Sequence, residues 1–143
     1  MSSASPKISA LEIAAAIKGN PPTPQQRSVI EADLAPALVI AGAGSGKTET
    51  MANRVLYLLA NRLVTPGEVL GLTFTRKAAG ELATRIRERI EQLAAAGLVG
   101  DDYDVFDAPT VATYNSFANS IYRDNAALIG RESDAPAASS TPR

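Results

Sequence analysis

The chain has 143 residues, of which 45% are hydrophobic and 20% are charged, the balance of an ordinary globular domain rather than of a disordered or fibrous chain. Its 14 Lys and Arg nearly cancel its 15 Asp and Glu, so the net charge of −1 gives no sign of a nucleic-acid-binding protein. The absence of Cys and His excludes disulfides, thiolate catalysis and metal sites built on those residues. Since no apolar run could span a bilayer or form a signal core, we expect a cytoplasmic protein with no membrane partner.

The first elements are predicted to be two helices. The first is expected over residues 10–18, before a Gly-Asn-Pro-Pro break, and residues 1–19 are assigned to an N-terminal helix and linker. The second begins after Thr23, its expected N-cap, with Pro24 at the first helical position, where the missing N–H costs nothing. This helix is expected to end near Pro36.

Apolar strands and amphipathic helices then alternate three times. A continuous apolar run over residues 37–41 predicts a strand buried on both faces, and further strands are predicted over residues 69–74 and 109–113. A helix should follow each strand, with apolar positions at helical spacing. The alternation is typical of βαβ units, so the predicted fold class is α/β, with a parallel sheet flanked by helices.

Specific core positions and one terminal segment follow from the same pattern. The helix after the first strand is expected over residues 47–63, and the helix after the third strand should bury Phe117 and Ile121. The core face of the helix between them consists of four apolar residues, Leu82, Ile86, Ile90 and Leu93. Residues 133–143 form a Pro/Ala/Ser stretch without periodicity, which predicts a disordered tail.

The turn after the first predicted strand has the form of a phosphate-binding P-loop. Glycines at such a turn let backbone N–H groups curl around phosphate oxygens, and the start of the next helix adds its positive dipole end. Lys47 is expected to reach the β and γ phosphates, and the Thr48 hydroxyl is expected to ligate Mg²⁺, which makes these two the catalytic candidates. The alternative is a Gly-rich turn that binds nothing. The predicted ATP and Mg²⁺ site comprises Ala41, Gly42, Ala43, Gly44, Ser45, Gly46, Lys47 and Thr48, with Ala41 where the strict pattern has Gly.

Several stretches taken together resemble UvrD/Rep-type superfamily-one DNA helicases. Residues 23–27, 41–48 and 72–82 look, in that order, like the Q motif, motif I and motif Ia of this family. Residues 113–118 are similar to the next element, T-F-H-S-F, with Tyr114 in place of Phe and Asn in place of His. Actinobacterial UvrD-like and AdnAB-like members resemble the chain most.

The resemblance covers about residues 20–132 and implies the N-terminal part of a RecA-like P-loop NTPase domain. It further implies an ATP-dependent helicase or translocase that acts on single-stranded DNA in repair or recombination. A helicase–nuclease complex would then be a partner of the full-length protein. The competing interpretation is a catalytically inactive nucleotide-binding module with a regulatory or interaction role.

Gln26 has two interpretations. In the family the Q-motif glutamine contacts adenine, and an amide can both donate to N7 and accept from the N6 amino group of that base. Thr23 and Gln26 are also spaced as a capping box, in which the Gln26 side chain would bond back to its own helix end. The sequence leaves both roles open.

The resemblance places a single-stranded DNA track at the ends of the second and third strands. Its predicted residues are Thr73, Phe74, Thr75, Arg76, Thr113 and Tyr114. Phe74 could stack on a base while Thr75, Arg76, Lys77 and the following helix N-terminus hold phosphates. Alternatively, Phe74 is core at a strand end and Thr75 is only an N-cap.

Two further features bear on function. Arg85, Arg87 and Arg89 could form a nucleic-acid patch, but interleaved Glu residues favour a solvated, salt-bridged helix face. The Asp-Glu pair that such motors use for Mg²⁺ and the attacking water is not found after any predicted strand. We therefore expect the chain to be the front part of a motor, inactive by itself.

Overall fold

The computed structural model describes residues 7–44, 46–100, 103 and 107–130, so the predicted tail over residues 133–143 lies outside the described residues. Two strands, five helices and two short 3₁₀ helices, η1 and η2, are described in this part of the chain. In chain order they are α1 (Ala10–Ala16), α2 (Pro24–Ile30), α3 (Lys47–Ala60), η1 (Pro66–Glu68), β1 (Leu70–Thr73), α4 (Arg76–Ala95), β2 (Thr110–Thr113), α5 (Tyr114–Asp124) and η2 (Ala126–Ile129).

The sheet of the described chain consists of β1 and β2, which run parallel with Leu70 opposite Thr110 and Thr73 opposite Thr113. Helix α4 connects them, so the three elements form one βαβ unit. A Cβ placed on Gly71 would lie 3.5 Å from the Val111 side chain and 3.7 Å from that of Leu82, so α4 and β2 both pack against β1 at this position. The fold is helix-rich α/β, which confirms the predicted class.

The core lies between α3, α4 and the two N-terminal helices. The predicted core face of α4 is confirmed, since its four residues Leu82, Ile86, Ile90 and Leu93 are each at most 5% exposed. Leu56 of α3 and Leu93 are 0% exposed, and replacing either with Ala would cost about 2–5 kcal/mol. Ile13 of α1 and Ile30 of α2 close the same cluster, each 1% exposed.

The strand predicted over residues 37–41 is wrong for the described structure. Leu38 is 86% exposed and Ile40 is 88% exposed, and neither belongs to a strand. A strand needs a neighbour to take its N–H and C=O groups, and β1 and β2 pair only with each other among the described residues. The apolar run followed the local rule for a buried strand, but no described element pairs with it or covers it.

Helix α2 ends at Ile30 rather than near Pro36. The Arg54 side chain, on α3, donates to the carbonyl oxygens of Ile30 at 2.9 Å and Asp33 at 3.0 Å, and also to that of Ala32. These bonds satisfy carbonyl groups that a longer helix would have used internally, and they tie the end of α2 to α3. The contact partner is distant in sequence, which is why local periodicity missed it.

Helix α5 corrects a second expectation. Ile121 was predicted to be core but is 49% exposed, and Phe117 is only half-buried. No described residue of α5 is fully buried, because this helix packs mainly against the sheet end and η2 in the described chain. The apolar spacing of α5 predicted the helix correctly and its burial wrongly.

The N-terminal helix is docked by polar side chains. The Asn61 side chain accepts from the Ile8 backbone N–H at 2.6 Å and donates to the Ile8 carbonyl at 2.9 Å. Glu31, at the end of α2, accepts from the Ala10 N–H at 2.9 Å and pairs with Arg27 at 3.0 Å. These contacts fix α1 against α2 and α3, and thereby hold the helix that carries Gln26.

Candidate functional site

Residues 41–48, here called the glycine loop, lead directly into α3. Gly44 and Gly46 have φ of 75° and 78°, left-handed values that favour glycine over any residue with a Cβ. Gly46 is the N-cap of α3, and no side-chain cap hydrogen bond is made at this helix start by the residues that the structure describes. Lys47 and Thr48 form the first two positions of α3 and are both exposed. The loop therefore presents an open helix start to solvent; Ser45 lies outside the described residues.

Lys47 spans the loop. Its Nζ donates to the carbonyl oxygen of Ala41 at 3.1 Å, so the ammonium group lies at the first residue of the turn that the lysine follows. A Cβ placed on Gly42 or Gly44 would meet no described atom within 4 Å beyond the chain neighbours, so the loop faces open space. A cation, a hydroxyl and an uncapped helix start are the groups that a polyphosphate with Mg²⁺ requires of a protein.

Gln26 adopts the capping-box geometry. Its Oε1 accepts from the Thr23 N–H at 2.9 Å, and its own N–H donates to Thr23 Oγ1 at 3.2 Å. The same bond turns Nε2 toward the glycine loop, where a Cβ on Gly46 would lie 3.0 Å from it. The capping role is thus present, and the amide nitrogen of the same side chain lies beside the loop.

A second cluster ties α3 to α4. Glu49, in the first turn of α3, accepts from Arg85 at 3.3 Å and from Arg89, whose other nitrogen donates to Asn53 Oδ1 at 2.8 Å. We call Glu49, Asn53, Arg85 and Arg89 the α3–α4 clamp. The salt-bridged interpretation of the arginine cluster was right in kind, but Arg85 and Arg89 pair with Glu49 across the helices rather than with the glutamates of α4. Glu49 was missed; its spacing of four from Asn53 matches that of the two arginines.

The ends of β1 and β2 expose an aromatic pair, here called the aromatic edge (Phe74 and Tyr114). Their ring centroids lie 5.1 Å apart with the planes tilted by 32°. Phe74 is 90% exposed and Tyr114 is 50% exposed, so the interpretation of Phe74 as core is wrong. The parallel register brings these two predicted residues, 40 positions apart, to one edge of the sheet.

The threonines beside the aromatic edge cap the helices that follow. Thr75 Oγ1 accepts from the Ala78 N–H at 3.1 Å at the start of α4, and Thr113 Oγ1 accepts from the Ser116 N–H at 3.1 Å at the start of α5. Thr73 Oγ1 donates to the Thr75 carbonyl at 3.1 Å, and Thr113 is nearly buried. Arg76 is exposed at the first position of α4. The threonines of the predicted DNA track thus have defined structural roles.

Among the described residues, three ionisable groups away from these sites have shifted pKa values. The hydrogen bonds of the Ser9 and Thr65 caps lower the pKa of Glu12 and of Glu68, respectively. Burial, together with the nearby Asp107 carboxylate, raises the pKa of Tyr103. In the described part of the chain, no helix is long and apolar enough to cross a membrane.

The fold and site define an α/β domain in which a glycine loop precedes one helix and an aromatic residue follows each of two parallel strands. The chain belongs to the UvrD/REP helicase N-terminal domain family, which it matches over residues 22–141. It is 43% identical over 107 residues to "ATP-dependent DNA helicase UvrD1" of Mycobacterium leprae and 42% identical over 106 residues to the protein of that name in Mycobacterium tuberculosis. It is 37% identical over 108 residues to "ATP-dependent DNA helicase PcrA" of Staphylococcus aureus. These alignments cover 74–76% of this chain but only 12–13% of each relative, so the chain spans about an eighth of their length.

Proposed function

We propose that the chain is the ATP-binding part of an ATP-dependent DNA helicase or translocase acting on single-stranded DNA in repair or recombination. ATP with Mg²⁺ would bind at the glycine loop, and single-stranded DNA would bind at the aromatic edge. The observation that carries the proposal is the uncapped start of α3, with Lys47 held across the loop by the Ala41 carbonyl at 3.1 Å. The names of the relatives, each an ATP-dependent DNA helicase, support the same function.

Phosphate binding follows from these groups. Lys47 Nζ would exchange its bond to the Ala41 carbonyl for bonds to the β and γ phosphates, and the backbone N–H groups at Gly44, Gly46 and the start of α3 would donate to the same anion. The Thr48 hydroxyl would supply a ligand to Mg²⁺, which neutralises phosphate charge when bound. Gly42 and Ala43 would form the part of the loop between Ala41 and Gly44 that curves around the phosphates.

The adenine contact is assigned to Gln26. Its oxygen already accepts from the Thr23 N–H at 2.9 Å, and a carbonyl oxygen has a second lone pair for the adenine amino group. Its Nε2, on the loop side, would donate to N7 of the base. The capping box holds the amide in one orientation, so the two roles of Gln26 support each other.

Single-stranded DNA is assigned to the aromatic edge because its rings are exposed where bases could stack. Each base stacked on an aromatic ring contributes roughly 1–3 kcal/mol, independent of sequence. Arg76, exposed at the first position of α4, would contact the phosphate backbone beside Phe74. The edge is shaped by the caps and hydrogen bonds of Thr73, Thr75 and Thr113. Any contact that these threonines make with DNA would use the hydrogen-bonding capacity that those bonds leave on each hydroxyl.

The chain by itself is proposed to bind ATP without turning it over. No Asp-Glu pair follows an apolar run in its sequence, and the arginine that stabilises transition-state charge in related NTPases accounts for about 10³–10⁵ in rate. The inactive nucleotide-binding module remains the second candidate, favoured by the same missing pair. DNA-stimulated hydrolysis at about 1 s⁻¹ or faster by the purified chain would overturn the claim that the catalytic carboxylates are absent.

The site assignment is tested by titrating ATP with Mg²⁺ into wild-type and Lys47→Ala chain in a calorimeter. Lys47→Ala should abolish measurable binding, because it removes the cation that lies across the loop. Lys77→Ala is the matched control, since Lys77 is an exposed lysine on α4 paired only loosely with Glu81 at 4.0 Å. Equal affinities of wild type and Lys47→Ala would refute the proposed nucleotide site.

A further inference from the structure

The α3–α4 clamp is a charged cluster that has no assigned role in the proposed function. Glu49 and Asn53 lie one turn apart on α3, and Arg85 and Arg89 lie one turn apart on α4, so the two pairs face each other. Arg89 bonds to both acceptors, and its side chain is only 16% exposed, whereas those of Glu49 and Arg85 are about 40% exposed. Arg89 is therefore the more enclosed of the two arginines that pair with Glu49.

The clamp lies beside the glycine loop. Glu49 is two positions after Lys47, and a Cβ placed on Gly46 would lie 3.9 Å from the Cβ of Glu49. An ionised carboxylate in this first turn stabilises the helix dipole, yet it would repel a polyphosphate bound at the same helix start. The Glu49 carboxylate alone has a charge of −1, whereas Glu49 together with the guanidinium groups of Arg85 and Arg89 has a net charge of +1.

We propose that Arg85 and Arg89 are positioning residues for the nucleotide that act through Glu49, a role that rests on the proposed ATP site. By pairing with the Glu49 carboxylate, they neutralise it and hold it on the α4 side of α3. The negative charge then does not oppose the phosphates that Lys47 and Thr48 receive. Helix α4 in this way contributes to ATP affinity without touching the ligand.

The test measures ATP affinity, with Mg²⁺, for Arg89→Gln, Glu49→Gln and the double variant. Arg89→Gln should raise the Kd for ATP about two- to fivefold, because the Glu49 carboxylate loses its most enclosed partner. Glu49→Gln should not weaken binding, and adding it to Arg89→Gln should return the Kd to within about twofold of wild type. Raising the salt concentration should shrink the Arg89→Gln effect, since the cause is a charge near the surface.

Arg87→Gln is the matched control, because it removes the same charge from an exposed position of α4, and it should leave the Kd for ATP unchanged. A purely structural clamp predicts a different pattern: the double variant would bind no better than Arg89→Gln, and affinity would follow the melting temperature at every salt concentration. That pattern would overturn the proposal.

Lys47→Ala separates this inference from the proposed function. If Lys47→Ala abolishes ATP binding while Arg89→Gln binds like wild type, the ATP site stands and the role of the clamp is refuted. If wild type and Lys47→Ala are alike, the ATP site is refuted and the role of the clamp falls with it.

Discussion

The glycine loop and the two junctions at the aromatic edge each lead from an extended or strand segment into a helix, but the helices begin in different ways. Helix α3 begins at Gly46, without a side-chain cap. Helices α4 and α5 begin at Thr75 and Thr113, whose hydroxyls accept from backbone N–H groups of their own first turns. The same topology therefore gives one open helix start and two closed ones.

Under the proposed function, this difference would direct different ligand groups to three similar junctions. Donors at an open helix start remain available to an anion, whereas a threonine cap uses one of them internally. At the closed starts, the exposed groups are instead the rings of Phe74 and Tyr114. Phosphate binding is accordingly expected at the first junction and base stacking at the other two.

The largest expected effect concerns the aromatic edge. Replacing Phe74 and Tyr114 with Ala together should weaken binding of single-stranded DNA about tenfold or more, from the loss of stacking. ATP affinity should stay unchanged, since the glycine loop is untouched. Fluorescence anisotropy with a labelled oligonucleotide measures the first quantity and calorimetry the second. Tyr122→Ala, at a 43% exposed tyrosine later on α5, is the control; an equal loss of DNA affinity in that variant would contradict the assignment.

A second prediction separates the two roles of Gln26. Gln26→Ala should raise the Kd for ATP severalfold and leave the Kd for inorganic triphosphate nearly unchanged, because only the base contact is lost. Thr23→Ala removes the hydroxyl side of the capping box, at a cost of about 0.5–2 kcal/mol in stability, but keeps the Gln26 amide. Calorimetry with both ligands on both variants decides the matter: equal losses for ATP and triphosphate would leave Gln26 with only its capping role.

A third prediction tests whether the closed helix starts are structural. Thr75→Ala should lower the free energy of unfolding by about 1 kcal/mol, because the Ala78 N–H loses its acceptor. The ATP affinity of Thr75→Ala should equal that of wild type. Thr75→Ser keeps a hydroxyl at this position and should retain most of the stability. Urea titration followed by circular dichroism gives the unfolding free energies. A loss of ATP binding in Thr75→Ala would mean that the two junctions are not independent.

The smallest expected effect is that of pH on the stability contributed by two other capped helix starts, those of α1 and η1, whose capping boxes use Glu12 and Glu68. The caps lower the pKa of Glu12 and Glu68 below 4.5 in the folded chain, so their stabilisation is fully present above that value. It is lost as the pH falls through the lowered pKa values. Glu12→Gln with Glu68→Gln should therefore flatten the decline in stability as the pH falls below 4.5. An unchanged decline in urea titrations at these pH values would contradict the capping explanation.

The sequence predicted those features that depend on near neighbours in the chain. The core face of α4, the Thr23 cap and the positions of β1 and β2 all follow from spacing within a few residues. The run over residues 37–41 and the burial of Ile121 were predicted wrongly, because each depends on which element lies against it. At the candidate site, the P-loop pattern predicted its residues from the glycines, the Lys-Thr pair that follows them and the apolar run and helix on either side. Glu49 could not be assigned in this way, since its partners Arg85 and Arg89 are 36 and 40 residues away.

The most direct test of the account asks which junction receives the phosphates. Amide chemical shifts of isotopically labelled chain should be followed by nuclear magnetic resonance while ATP and Mg²⁺ are added. We expect the largest changes at Gly44, Gly46, Lys47 and Thr48, with small changes at the capped starts of α4 and α5. Largest changes at residues 76–78 or 114–116, with an unmoved glycine loop, would contradict the claim that the open start of α3 is the nucleotide site.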